Sequence, residues 1–266
     1  MDRCLLAAWI DPLRSWKHRL LSLFRHKLER TIAYVESRLP HGSVLLELLD
    51  RNAELVILDI GACEALDSIR YSRLFPNAQV HAFEPVKSNV ALAKKNLRRF
   101  RATRVRVHHT AVGEKIGKLT LHRSSGKPDG VQTTSDWDFG NKSSSLMEPN
   151  LQEIQGTWSW LNFAATELVP CTTLDQFVRE FSIRQIDLIH MDVQGAEHLV
   201  LRGGLQALAT VQAIWLEVSS QEFYKGQLLA PQMAQLLEDA GLHRHFSLGE
   251  PPQWDELWVR QHTKPK

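Results

Sequence analysis

Residues 56–85 read VILDIGACEALDSIRYSRLFPNAQVHAFEP, and this stretch decides the fold. An apolar run, Leu55 to Leu58, ends in Asp59, with Gly61 close behind. A helix-compatible segment leads to a second, alternating run, Gln79 to Phe83, which ends in Glu84-Pro85. Strand, tight turn, helix, strand and acid is the order of a nucleoside-binding βαβ unit. Such a unit gathers backbone N–H groups at a helix N-terminus and sets a carboxylate opposite a ribose. The separation of Gly61 and Glu84 fits the usual spacing of about 20 residues.

Outward from this stretch, strand and helix patterns alternate from about residue 44. Ser88–Leu97 reads as a helix with Val90, Ala93 and Leu97 on one face, and Val105–Val112 reads as a third strand. Lys118–His122 adds a short strand after the Gly113 to Gly117 turn. Residues 123–165 have weak periodicity, many Ser, Gly and Pro, and three tryptophans at Trp137, Trp158 and Trp160. Tryptophans argue against full disorder, so the segment is expected to be an ordered loop over a site. Regular patterning resumes with a helix at Thr173–Phe181, a central strand at Ile186–Val193 and a helix at Gly195–Leu201, stopped by Gly203-Gly204. Val211–Val218 is another buried strand, and Pro231–Ala240 another helix. His243–Ser247 and Glu256–Arg260 then read as a hairpin closing the sheet edge. The expected fold is Rossmann-like α/β: a seven-stranded, mostly parallel sheet with helices on both faces and a C-terminal antiparallel hairpin.

Upstream, residues 13–38 form an amphipathic pattern. Leu13, Trp16, Leu20, Leu23, Phe24, Leu28 and Ile32 recur at helical spacing, and Arg14, Lys17, Arg19, Arg25, Lys27 and Arg30 fill much of the remainder. Pro40-His41-Gly42 breaks the helix. The chain therefore divides into a helical extension, 1–43, and a Rossmann-like domain, 44–266, with the irregular insertion at 123–165. The extension is read as a cap with a solvated basic face, with weak peripheral membrane contact as the sharper alternative.

The formal net charge of +2 points neither toward nor away from nucleic acid, and no nucleic-acid partner is assigned. Cys4, Cys63 and Cys171 are scattered, with no metal spacing and no disulfide framework, so a reducing cytoplasm is the expected location. Cys4 to Ile10 is far too short to span a bilayer, and the N-terminus lacks the order of a signal peptide.

The choice of cofactor follows from the first turn. A dinucleotide would want G-x-G-x-x-G, but Cys63 and Leu66 hold the second and third glycine positions. No P-loop string occurs. The remaining common ligand is S-adenosylmethionine, which has a ribose but no phosphate. Asp59 and Gly61 can then face its amino-acid end, and Glu84 can accept both ribose hydroxyls.

Three stretches carry a family resemblance. They are Asp59–Ala62 through Phe83–Pro85; Ile186-Asp187-Leu188-Ile189-His190-Met191-Asp192-Val193-Gln194-Gly195-Ala196-Glu197 with Leu201 and Gly203-Gly204; and Leu216–Val218 with Tyr224 and the Leu237 to Gly241 helix end. The Ser143-Ser144-Ser145 run adds to them. Together they span roughly residues 53–247 and resemble a class I S-adenosylmethionine-dependent methyltransferase, more narrowly the FkbM type. One departure is visible: Cys63 and Ala65 stand where family members usually keep a small residue or asparagine and then a glycine, and alanine loses easy access to positive φ.

The resemblance implies a methyl transfer to oxygen of a small-molecule or carbohydrate acceptor. Alignment of nucleophile and methyl can supply up to ~7–11 kcal/mol, and a base about 10²–10⁴-fold. Asp192, at the end of the fourth parallel strand, is the first candidate base; His190, on the same strand face, is second, and Glu197 third. Cofactor contacts are expected from Asp59, Gly61, Ala62, Glu84, Pro85, Ala111 and Asp192, and acceptor contacts from Ser144, Ser145 and Glu217. A His–Asp–Glu metal site is conceivable, but no spacing compels one and none is assigned. The oligomeric state stays open. The alternative function is a methyltransferase-fold binding or scaffold protein without turnover; a nucleotide-linked oxidoreductase is disfavoured by the missing glycines.

Overall fold

The structure is a computed structural model and describes residues 27–130 and 139–260. Helix α1 covers 27–36 of these, followed by α2 (Gly42–Leu48), β1 (Val56–Ile60), α3 (Leu66–Leu74), β2 (Gln79–Phe83), α4 (Lys87–Phe100) and β3 (Val105–His108). Next come β4 (Ala111–Val112), β5 (Gly117–Ser125), a 3-10 turn at Gly140–Lys142, α5 (Leu151–Thr157) and β6 (Asn162–Thr172). The last part holds α6 (Leu174–Glu180), β7 (Ile186–Met191), α7 (Glu197–Arg202), α8 (Leu205–Leu208), β8 (Val211–Ser219), α9 (Ala230–Asp239), β9 (Leu242–Glu250) and β10 (Gln253–Arg260).

The main sheet has seven strands in the order β3-β2-β1-β7-β8-β10-β9. Strands β3 to β8 of that order are parallel, and β10 runs antiparallel to both β8 and β9. Sequence order reverses between β1 and β7, so the ligand crevice of such a sheet lies beyond their C-terminal ends. Both faces of the sheet are covered. Leu58, Ile60, Ile189, Met191, Ile214 and Leu216 form one core with residues of α6 to α9; Ile57, Val80, Leu188, Trp215 and Leu257 form the other with Leu45, Tyr71 and Phe75. Two-sided burial is why these strands read as unbroken apolar runs.

The Rossmann-like expectation holds, hairpin included, and three local readings change. Val105–Val112 is not one strand. His108 ends β3, and Ala111–Val112 leaves the main sheet to pair with Cys171–Thr172. Thr110 Oγ1 fixes the crossing by donating to the Pro170 carbonyl at 3.0 Å. The short strand at Lys118–His122 extends over all of β5, and β6, which no sequence signal marked, lies between β4 and β5 in a small second sheet. Most of β6 is exposed, so it carries no apolar alternation to read. The 123–165 insertion is accordingly more regular than its composition suggests, since it contains the end of β5, α5 and the start of β6.

Much of the basic amphipathic pattern at 13–38, with Cys4 and Trp137, lies outside the described residues. The described end of that helix, α1, packs on α3 rather than on the sheet. Val35 is buried with Leu66 and Ile69, and Tyr34 Oη lies 3.0 and 2.9 Å from the two Asp67 carboxylate oxygens. The Arg70 guanidinium sits 4.4 Å from the Tyr34 ring centre and donates to the Arg38 carbonyl at 2.7 Å. No helix among the described residues is long and apolar enough to cross a membrane.

Candidate functional site

The turn after β1 crosses the end of β7. Gly61 has φ +88°, and a Cβ there would lie 1.9 Å from the Asp192 carbonyl oxygen, so glycine alone lets the two strand ends close up. The Gly61 and Ala62 N–H groups both donate to the Phe83 carbonyl, at 3.0 and 2.9 Å. This corrects the expectation of free amides facing a ligand: the two are engaged, and a pyrophosphate would not find them. Cys63 and Ala65 adopt left-handed φ of 46° and 57°. The turn thus keeps a glycine-like path without glycine, at about 1–2 kcal/mol per residue. Burial pushes the Cys63 thiol well above its ordinary pKa, so it stays protonated.

At the end of β2, Glu84 is buried and accepts the Val86 N–H at 2.6 Å. Burial raises its pKa to about 7, against hydrogen bonds from Val86, the Asn89 side chain and the Cys63 backbone. Asn89 Oδ1 in turn accepts from Asn141 Nδ2 at 3.0 Å. Glu84, Asn89, Asn141 and Ser144 form the polar side of a crevice whose apolar walls include Phe83, Ala111, Val112, Leu121 and Leu146. Among the described residues, Asn141 Oδ1 is buried without a hydrogen-bond partner.

A second crevice adjoins the first and shares Gly61, Cys63, Lys142 and Asp192 with it. Asp59, His190 and Asp192 line it from the sheet side, and Tyr34 and Asp67 from the helices. The floor continues along one sheet face, because His190 pairs in register with Asp59 and Trp215, and Glu217 with Asp255. Four adjacent strands therefore carry Asp59, Asp192, Glu217 and Asp255 at their crevice ends, with His190 among them.

His190 Nδ1 lies 3.1 Å from Asp59 Oδ1, a close ion pair rather than an aligned hydrogen bond. Asp59 also accepts the Ser68 hydroxyl. Burial pulls the His190 pKa down, but contact with Asp59 and the charges of Asp59, Asp67 and Asp192 more than offset it, giving about 9. The raised pKa favours the charged ring at neutral pH, which makes His190 a weaker candidate base than Asp192. Asp192 has an open surface toward the crevice but is crowded by protein on its other sides. That crowding raises its pKa, while Gln194 and His190 act in the opposite direction. Asp255 is raised to about 6 by burial, with His190 opposing.

Gln194 organises this floor. Its Nε2 donates to Asp192 Oδ1 at 2.6 Å and reaches Glu217 Oε2 at 3.4 Å, which Gln253 also contacts at 3.1 Å. Its backbone is left-handed, φ 57°, and Ser145 Oγ donates to its carbonyl at 2.7 Å. Tyr224 Oη lies 2.7 Å from the Ser143 carbonyl and 3.2 Å from Gln194 Oε1. On its other side Gln194 walls a cavity with Trp158, Trp160, Phe223 and Gln253.

The sequence-derived candidates separate accordingly. Glu84, Pro85, Ala111 and Ser144 line the first crevice; Asp59, Ala62 and His190 line the second; Gly61 and Asp192 belong to both. Glu197 lines neither. It lies buried beneath the turn after β7, accepts the Val193 N–H at 3.2 Å, and is raised to about 7 by burial, with the Asp192 charge adding. Ser145 is 1% exposed and engaged with Gln194 and the Met147 N–H, so it is out of an acceptor's reach. Glu217 is half-buried and joins the floor through Gln194 and Gln253. Sequence reasoning missed Asn89, Asn141, Gln194 and Asp255. Gln194 precedes Gly195 immediately after a strand, a turn signal that could have marked it; nothing local marks Asn141. Among the described residues, no group of three or more His, Cys, Asp or Glu is arranged to hold a metal.

Residues 59–243 match the family model described as the methyltransferase FkbM domain, more than half of the chain. The chain is 34% identical over 207 residues to the 2-O-methyltransferase NoeI of Sinorhizobium fredii (strain NBRC 101917 / NGR234), covering 77% of this chain and 79% of that protein. Among solved structures it is similar to a precorrin-6y C5,15-methyltransferase from Geobacter metallireducens, at 14% identity and TM-score 0.43, over 82% of this chain and 87% of that one. It is also similar to an O-methyltransferase family protein from Burkholderia thailandensis, at 12% identity and TM-score 0.45, over 93% of this chain and 63% of that one.

Proposed function

Since the chain belongs to the FkbM methyltransferase family, we propose that it methylates a hydroxyl oxygen of a small molecule or sugar, using S-adenosylmethionine. The observation that carries this reading is the junction of the two crevices at Gly61 and Asp192. One side offers apolar walls, a carboxylate and side-chain amides, which suit a nucleoside. The other offers carboxylates, which suit an ammonium group and a reacting hydroxyl.

The cofactor, when bound, supplies an electrophilic methyl on a sulfonium. Glu84 and Asn141 would hold the ribose, the walls from Ala111 to Leu146 would receive the adenine, and Asp59 would attract the amino group. Asp192 takes the acceptor's proton at its free oxygen, while Gln194 holds the other. His190, favoured as an imidazolium, steadies the neighbouring carboxylates. The cavity at Trp158 and Trp160 supports a ring-bearing acceptor, since aromatic faces and amides suit the apolar and hydroxyl faces of a sugar. A cytoplasmic location belongs to this reading, supported by Cys63 and Cys171 being free thiols.

Calorimetry tests the core of the proposal. S-adenosylhomocysteine should bind and NAD should not. Glu84→Ala should weaken binding by about 1.5–3 kcal/mol, the worth of a charged acceptor. Affinity unchanged by that substitution would remove Glu84 from the site. The reading without turnover draws support from the strained Cys63 and Ala65; a screen for transfer of labelled methyl into metabolite pools decides between the two.

A further inference from the structure

S-adenosylmethionine carries an ammonium and a carboxylate on one carbon. A pose that sets the ammonium against Asp59 therefore sets the carboxylate close by, where the two crevices meet. That place is acidic. Asp59, Glu64, Asp67 and Asp192 line the second crevice, and Asp192 lines the first as well. A carboxylate brought among them meets like charges, a repulsion that grows as water is excluded. The turn after β1 offers limited relief. Its Gly61 and Ala62 N–H groups donate to the Phe83 carbonyl, and the Ala65 N–H donates to the Ala62 carbonyl at 2.6 Å. The carboxylate needs a cation from elsewhere in the chain.

One cation stands at the meeting point. Lys142 lines both crevices, and among the described residues it is the only Lys or Arg lining the first. Its turn, Gly140–Lys142, is anchored on two sides. The Gly140 N–H donates to the Gly126 carbonyl at 3.0 Å. A Cβ on Gly140 would lie 2.2 Å from the Ser125 carbonyl carbon, so only glycine seats the turn against the end of β5. Next to it, Asn141 Nδ2 donates to Asn89 Oδ1 at 3.0 Å. The Lys142 side chain thus starts from a fixed backbone, and it is 50% exposed. It pairs with Glu64 Oε1 at 3.7 Å, too long for a good hydrogen bond. An ammonium has three N–H donors, so this loose contact leaves Nζ able to bond a second carboxylate.

We propose that Lys142 binds the carboxylate of the cofactor, exchanging its long contact with Glu64 for a direct, hydrogen-bonded ion pair with the ligand. The proposal rests on the two crevices being the S-adenosylmethionine site. It deepens that reading by giving a partner to the negative group of the cofactor, which none of the surrounding acids can serve. Selectivity for the intact amino-acid end then comes from a turn outside the βαβ unit. That turn leads directly into Ser143, which lines the Trp158 and Trp160 cavity, so the cofactor contact lies beside the acceptor side.

The test compares S-adenosylmethionine with its decarboxylated form, which has hydrogen in place of the carboxylate, by calorimetry on the full chain and its variants. The unsubstituted chain should bind S-adenosylmethionine about tenfold more tightly than the decarboxylated form, the worth of one charge-assisted hydrogen bond at a half-exposed site. Lys142→Met should bind S-adenosylmethionine about tenfold more weakly and leave affinity for the decarboxylated form unchanged. Lys142→Arg keeps the charge and should keep most of the preference. Equal weakening of both ligands in Lys142→Met would make Lys142 a structural residue and overturn the proposal. A full preference surviving in Lys142→Met, or one lost as completely in Lys142→Arg, would overturn it too. Binding without preference in the unsubstituted chain would overturn this inference alone. If that chain binds neither ligand, the cofactor reading itself fails and takes this inference with it.

Discussion

Asp192 and Glu197 flank one turn, yet the structure gives them different work. Asp192 opens to both crevices, whereas Glu197 faces inward and accepts a backbone N–H. Asp192→Asn should leave S-adenosylhomocysteine affinity near normal and lower turnover by about 10²-fold or more, the usual cost of losing a general base. Glu197→Gln retains an oxygen for the Val193 N–H and should keep turnover within a few-fold. Comparable losses in the two variants would sink this division. The raised pKa of Asp192 adds a sign: turnover should climb with pH at values above the ordinary carboxylate range, because the base works only when ionised. Glu84 behaves similarly in binding. Below about 7 it is protonated in the free protein, so affinity for S-adenosylhomocysteine should rise between pH 6 and 7 and level off above.

At the scale of elements, the first turn stores strain that substitution can release. Ala65→Gly removes a left-handed alanine, offset in part by a more flexible unfolded chain. The net should be a gain of up to about 1 kcal/mol, read as a rise in Tm of roughly 2–4 °C. A lower Tm would mean that the Ala65 methyl, fully buried beside α3, matters more than its φ. On the acceptor side, Trp160→Ala should raise KM for the acceptor and leave cofactor affinity unchanged; a matching loss of cofactor affinity would place Trp160 elsewhere. Elements buried on both faces, such as β1, β7 and β8, were readable because apolar residues dominate them on both faces. Asp59, Glu84 and Asp192 were readable because each ends such a run. Exposed β6 was not readable, nor was Asn141, whose contacts with Asn89 and Cys63 exist only once distant segments close on it. The hydrophobic pattern also could not say that Ala111–Val112 changes sheets, since both sheets want apolar residues there.

Across the whole molecule, buried titratable groups of opposite kinds set the response to pH. His41 and His81 are held neutral, with pKa lowered mainly by burial to about 3 and about 4, so their contribution to stability is lost as pH falls below about 6.5. Glu84 and Glu197, raised to about 7, contribute stability that is lost as pH rises from about 4.5 through 7. His190, raised to about 9, extends the loss from about 6.5 through 9. The two sets oppose each other below pH 6.5 and leave the alkaline side uncompensated. Tm should therefore be nearly flat from pH 5 to 6.5 and fall by at least ~4 °C between 6.5 and 9, with the upper part of that fall missing in His190→Gln. A Tm that rises over the same interval would contradict the Asp59–His190 pairing.

The pairing of β1 with β7 has a further consequence during synthesis. Val56 N–H donates to Asp187 Oδ2 across 131 positions of sequence, and Gly61 is shaped to receive Asp192. A ribosome delivering residues in order exposes β1 long before β7 exists, at about 5–20 residues per second. For several seconds the emerging half carries an unpaired apolar strand edge and neither crevice. Such an edge invites pairing with other chains. The nascent protein is therefore expected to need shielding by a chaperone until β7 emerges, and added cofactor can assist its maturation only after that moment.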